Sequence, residues 1–288
     1  MPSPAPLPTA DAALASELAA LAEVVAREAA VEIRRGLERT RQVTATKSSA
    51  TDVVTDVDQA VERLVVGRLM EARPADAVLG EEGGSRQGGS GVRWLVDPID
   101  GTVNFLYGHP GFCVSIAAEV DGAMAAGVVI EPWRGEVFRA VAAGGATLDG
   151  RPIRANAASD PAACLVATGF SYRAEERAAQ ARAMGHLLPR VRDIRRVGSA
   201  ALDLCDVACG RVDAYYEWDV NPWDVAAGSL IATEAGAVVS ALDGRGAPGE
   251  AGGVLAAPAR RHHAFVTLLS EAMAAGTDTL PGSPSALR

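Results

Sequence analysis

Between Asp11 and about Arg39, apolar residues return at near-helical spacing, at Leu14, Leu18, Leu21, Val25 and Ile33, with Glu and Arg between them. That period predicts a long amphipathic helix. DQAVERLVVGRLMEA (58–72) shows the same pattern and predicts a second. The rhythm then shortens. The runs AVLG (77–80), RWLV (93–96), FCVSIAAEV (112–120), MAAGVVIEP (124–132), EVFRAV (136–141) and GATLDG (145–150) alternate with turn residues. Several follow one another across brief Gly or Asp turns, which favours antiparallel strands over strand–helix–strand units. QGGSG (87–91) reads as a flexible loop. After DPAACLV (160–166) the pattern changes again. Helical stretches near 174–188, 199–209, 222–235 and 258–275 alternate with short strands at 192–197, 213–217, 236–241 and 253–256. This is the signature of an α/β-like half. The expectation is two packed halves, 11–155 and 156–276, between disordered tails at 1–10 and 277–288. No long polar stretch separates the halves.

Composition narrows the classes. Hydrophobic residues make up 49% of the 288, enough for a sizeable core. A formal net charge of -9 disfavours direct binding to nucleic acid or to an anionic membrane surface, where Lys and Arg supply the affinity. Cys113, Cys164, Cys205 and Cys209 lie in apolar stretches and read as reduced core residues. Cys205 and Cys209 share a helix face, but no Cys or His pair completes a zinc set. The prolines of MPSPAPLPTADAAL interrupt any signal-peptide core, and no run of about 18 apolar residues spans a membrane. The expected location is cytoplasmic.

WLVDPIDGTVNF (94–105) changes the picture. An apolar strand ends by placing Asp97 and Asp100 in one small volume, with Pro98 fixing the backbone and Gly101 permitting a sharp turn. Both carboxylates and the Ile99 carbonyl could then point one way. Thr102 adds a hydroxyl, and the amides of Gly101 and Thr102 open TVNFLYG, read as a short helix whose start favours an anion. An Asp-rich turn with helix caps remains an equal reading of this segment alone. Other segments add to it. LGEEGG (79–84) sets Glu81 and Glu82 straight after a strand. NPWDVAAGSLIATEAGA (221–237) puts Asp224 in the first turn of an apolar helix. KSSATDVVTDVDQAVE (47–62) brings Lys47, Thr55 and Asp58 ahead of another helix, where Thr or Asp would also serve as caps. Carboxylates at strand ends and helix starts, without His or Cys, suit Mg²⁺ or Mn²⁺ rather than zinc.

GEE, DPIDGTVNF and PWDVAAGSLIATEAG, in this order, together with VGSAALDLCDVACGRVDAYYE (197–217), resemble the inositol monophosphatase family. The likeness runs from about residue 12 to 270, and its wording is similar to the bacterial SuhB-type branch. The resemblance implies an α+β fold layered α/β/α/β/α, a homodimer, two to three Mg²⁺ ions, and hydrolysis of a small phosphorylated polyol by metal-activated water. Glu81, Asp97, the Ile99 carbonyl and Thr102 would surround a first ion. Asp97, Asp100 and Asp224 would hold a second, and Glu81 with waters a third. Glu217 in YYE would contact substrate hydroxyls, and Gly198, Ser199 and Ala200 would face the inositol ring. Gly101 and Thr102 would hold the phosphate, while Lys47 and Asp58 would support the metals and the attacking water. GFSYR around Ser171 corresponds loosely to a sugar-contacting loop, and Asn221 stands where many relatives carry His. Four carboxylates and a phosphate dianion carry about six negative charges, which about three divalent ions would offset. The substrate expected is myo-inositol 1-phosphate. The alternatives are histidinol phosphate, fructose 1,6-bisphosphate, 3′-phosphoadenosine 5′-phosphate, or a regulatory protein on a phosphatase scaffold.

Overall fold

The structure, a computed structural model, describes residues 11–38, 43–46, 53–157, 160–249 and 253–277. Helix α1 (Ala12–Leu37) starts at Asp11, whose side chain caps the Ala13 amide. The short hairpin β1 (Val43–Thr46) and β2 (Val53–Thr55) leads into α2 (Asp56–Ala72). Strands β3 (Ala77–Gly80), β4 (Val92–Asp100), β5 (Cys113–Val120), β6 (Ala123–Glu131), β7 (Glu136–Val141), β8 (Gly145–Leu148) and β9 (Arg151–Pro152) form a seven-stranded sheet in that order. Only β3 and β4 pair in parallel, so the antiparallel expectation holds for the rest. The six-residue helix α3 (Thr102–Tyr107) lies between β4 and β5.

The second sheet uses β10 (Leu165–Thr168), β11 (Asp193–Arg195), β12 (Ala214–Glu217), β13 (Ala237–Ser240) and β14 (Val254–Pro258), in spatial order β11-β10-β12-β14-β13. Its β10 pairs are parallel, and β14 pairs antiparallel with β12 and β13. The helices of this half are α4 (Ala174–Leu187), α5 (Ala200–Ala208), α6 (Pro222–Glu234) and α7 (His262–Thr277). The last begins four residues later than its periodicity suggests, because Pro258 closes β14.

Three apolar clusters separate the layers. The first joins α1 and α2 to one face of the seven-stranded sheet, through Leu18, Ile33, Val65, Trp94 and Ile116. The second fills the space between the sheets with α5 and α6. The third packs α4 and α7 on the outer face of the five-stranded sheet. This is the α/β/α/β/α order implied by the resemblance. The apolar character of α6 follows from its place: Val225 through Ala232 are all buried, as expected of a helix covered on every side. The α5–α6 contact is close, since a Cβ on Gly228 would lie 2.8 Å from Leu204 Cβ. Cys113, Cys164 and Cys205 are buried, Cys209 is partly so, and all four are unpaired thiols. No helix among the described residues is long and apolar enough to cross a membrane.

Candidate active site

Strand β4 solves the geometry of its two aspartates with an irregularity. Asp97 pairs with Ser115 and Asp100 with Cys113, so three steps on β4 answer two on β5. In a regular strand, residues three apart face opposite sides; the extra residue resets the phase. Pro98, which has no N–H to donate, sits inside the irregularity. Both carboxylates therefore reach one cavity of about 360 Å³. Gly101, at φ 93°, turns the chain into α3.

The cavity brings together Glu81, Asp97, Ile99, Asp100, Gly101, Thr102, Gly198, Ala200, Glu217 and Asp224, all singled out from sequence. Ser199 is buried behind it, and Asp58 is fully buried behind Thr102. Lys47 lies outside the described residues.

Carboxyl oxygens of Glu81, Asp97 and Asp224 lie within 4.8 Å of one another. Oxygens on one octahedral ion with bonds of about 2.1 Å stand about 3.0 Å apart when adjacent and about 4.2 Å when opposite, so this set would draw together around a single ion. Asp97 Oδ1 is buried and has no hydrogen-bond partner among the described residues. Buried acceptors are normally satisfied, so this atom suits a cation ligand. Burial, followed by Glu81, Asp100 and Asp224, pushes the Asp97 carboxyl well above its ordinary range. Burial and Glu81 push Asp224 the same way. Among the described residues, no Arg or Lys is among the main influences on Asp97 or Asp224.

Asp100 is differently engaged. Its Oδ2 accepts from Ser199 Oγ at 2.7 Å and from the Ala201 amide at 2.7 Å, at the start of α5. Burial raises its carboxyl to about 6 against these bonds. The close trio does not include Asp100. Its other oxygen, Oδ1, is the one left for a ligand.

Thr102 links two segments. Its hydroxyl lies 2.9 Å from Asp58 Oδ1 and 2.9 Å from the Ile99 carbonyl. Asp58 is fixed by a capping box with Thr55, accepting from the Thr55 amide at 2.9 Å and from its hydroxyl. Desolvation dominates here too, raising Asp58 to about 6. The loop carrying Glu81 is held by Glu62 of α2, which accepts from the Glu82 amide at 2.7 Å and the Gly84 amide at 2.8 Å. At the far end, Glu217 Oε2 accepts from the Tyr215 hydroxyl at 2.8 Å, and burial raises its carboxyl to about 7. Gly169 makes room for it, since a Cβ there would fall 1.9 Å from the Glu217 carboxyl carbon. Asn221 caps α6 with Asp224, whose Oδ2 accepts the Asn221 amide at 2.7 Å.

Sequence reading missed Glu62, which looks like any charged residue of an amphipathic helix, and the cavity residues Arg173, Arg196 and Trp218. Arginine next to the GSA loop in RRVGSA was the available signal for Arg196. Ser171 does line the cavity, as its loose correspondence suggested.

An oxygen-only acidic centre at the seam of a layered α+β fold, with a polar cavity beside it, is of the class that holds divalent cations against phosphate groups. The comparisons with known proteins agree. The model of the inositol monophosphatase family matches residues 14–274. Inositol-1-monophosphatase of Mycobacterium leprae is 50% identical over 220 residues, covering 73% of this chain and 76% of that protein. Nus factor SuhB of Xylella fastidiosa is 43% identical over 224 residues, covering 77% and 81%. The solved structure of Mycobacterium tuberculosis SuhB superposes with a TM-score of 0.76 at 41% identity, covering 89% of this chain and 97% of that one. The chain belongs to the inositol monophosphatase family and is a phosphatase.

Proposed function

We propose that this phosphatase hydrolyses myo-inositol 1-phosphate to inositol and phosphate with Mg²⁺. The observation that carries the chemistry is the buried, unpartnered Asp97 Oδ1 within the Glu81–Asp97–Asp224 group. Glu81, Asp97 and Asp224 would hold one ion, with Asp100 Oδ1 and the Ile99 carbonyl available to a second. Bound ions of this kind acidify a water and offset charge on phosphoryl oxygens. The chain's own part is orientation and proton transfer. With its hydrogen on Asp58 Oδ1, Thr102 Oγ offers a lone pair to the attacking water. As the water oxygen bonds to phosphorus, its proton passes to Thr102 Oγ and the threonine proton to Asp58 Oδ1. The ester P–O bond breaks, and the departing alkoxide takes a proton from solvent. Glu81 orients the water, the Gly101 and Thr102 amides hold the phosphate, and Glu217 receives substrate hydroxyls. The loop of Gly198 and Ala200 borders the ring, with Ser199 behind it steadying Asp100.

The substrate rests on the named function of the Mycobacterium leprae relative and on the cavity's size and polar end. The test is phosphate release, with and without Mg²⁺, from inositol 1-phosphate, histidinol phosphate, fructose 1,6-bisphosphate and 3′-phosphoadenosine 5′-phosphate. Mg²⁺-dependent preference for the inositol ester is expected. Preference for another ester would keep the chemistry and replace the substrate. Cytoplasmic location, which the unpaired thiols fit, and assembly as a homodimer belong to the same reading. A second reading, a regulatory role on the same scaffold, is favoured by the Nus factor name of the Xylella fastidiosa relative. Pull-down with Asp97→Asn separates it, since partner capture independent of catalysis would survive that change.

A further inference from the structure

Arg196 follows β11 and precedes the loop into α5, and it lines the cavity. The cavity has two cationic side chains among its described lining residues, Arg173 and Arg196. Arg173 is committed, with Nη1 2.9 Å from Glu176 Oε1. Arg196 is exposed and makes no hydrogen bond or close ion pair among the described residues. The backbone is nevertheless shaped around it. Gly198 sits at φ +97°, and a Cβ there would lie 2.2 Å from Arg196 Nη1. The loop that carries it lies against the phosphoryl end, since a Cβ on Gly101 would fall 3.2 Å from the Gly198 carbonyl oxygen. The guanidinium thus borders the cavity beside that end.

A polyol monophosphate offers this cation nothing that matches it. Its one anionic group belongs at the acidic floor, and the remainder is neutral hydroxyls. A planar guanidinium with several donors is suited to a second phosphoryl group, which it can meet in bidentate fashion. We propose that Arg196 is a specificity-determining residue that receives a second phosphoryl group on the substrate. Sugar bisphosphates accordingly gain from it, while the same sugar with one phosphate gains little. This rests on the phosphatase reading above and extends its substrate class.

The experiment compares fructose 1,6-bisphosphate with fructose 1-phosphate, which differ only in the second phosphate. Initial phosphate release in Mg²⁺ is measured for the wild type, Arg196→Ala, Arg196→Gln and Arg196→Lys. A charge-assisted contact of this kind is worth about tenfold or more in binding. The kcat/KM ratio of bisphosphate to monophosphate should fall about tenfold in Arg196→Ala and Arg196→Gln. The loss should appear in KM, and Arg196→Lys should restore part of it. A change confined to structure would lower both substrates together and leave the ratio unmoved. A ratio within about threefold of wild type in both neutral variants overturns the proposal while the phosphatase reading stands. Release of phosphate from inositol 1-phosphate but from neither fructose ester overturns the proposal alone, and failure of the wild type on all three overturns both.

Discussion

Replacing Asp97 by Asn should make the cation-free protein more stable and the cation-loaded protein less so. Asp97 is 2% exposed, and its Oδ1 has no partner among the described residues. Without a cation, Glu81, Asp100 and Asp224 add repulsion to the cost of burial. A buried acceptor left unsatisfied costs about 1–3 kcal/mol, and more if charged. Removing the charge should recover about that much, a rise of a few degrees at about 2–4 °C per kcal/mol for a long chain. With Mg²⁺ at about 100 times its dissociation constant, the wild type gains about 2.7 kcal/mol, most of which the variant forgoes. The order of melting temperatures should therefore invert between EDTA and Mg²⁺, at fixed pH near 7.5. Turnover by the variant should be abolished in both. Thermal unfolding followed by intrinsic fluorescence reads the inversion. A variant that melts below wild type in EDTA, yet rises with Mg²⁺ as much as wild type, would refute the reasoning.

Other changes test the supports. Glu62→Gln replaces an acceptor oxygen with a donor facing an amide of the 82–84 turn, so the Mg²⁺ concentration for half-maximal activity should rise about tenfold; an unchanged Mg²⁺ titration would remove Glu62 from the account. Thr102→Val should lower kcat by about 10²–10⁴-fold, and Thr102→Ser should recover most of it, because the hydroxyl rather than the methyl carries the proton. Equal activity of the two variants would contradict the Thr102–Asp58 route. Asp203 is buried with neither carboxyl oxygen partnered among the described residues, and burial pushes its pKa well up. The folded state then binds a proton that the unfolded state releases, so this contribution is present below pH 3.8 and lost as pH rises through the folded value. Asp203→Asn should flatten that decline and raise the urea midpoint at pH 8; a steeper decline in the variant would refute the sign.

Much of the fold was legible because its signals are local. The brief turns between β5, β6, β7 and β8 marked an antiparallel meander, and the unbroken apolar run of α6 marked a helix enclosed on all sides. Strand β1 (VTAT) is exposed throughout and β9 is two exposed residues, so neither carries an apolar run to mark it. At the site, oxygen ligands cluster in sequence at DPIDGT, so Asp97, Asp100 and Thr102 were legible together. What sequence could not show is partnership across distance. Asp100 is tied to Ser199 and Ala201 about a hundred positions on, and Glu62 holds a turn across a helix and a strand. Arg196 reads as one of several surface arginines until the fold sets it against Gly198.

Phosphate hydrolysis as proposed here depends on Glu81, Asp97 and Asp224 holding a divalent cation. Crystals soaked in Mn²⁺ and measured for anomalous scattering test it most directly. A peak is expected between those three carboxylates, within about 2.0–2.3 Å of one oxygen from each, and it should be lost in Asp97→Asn. A protein that hydrolyses phosphate esters in Mn²⁺ with no peak at that position would contradict it.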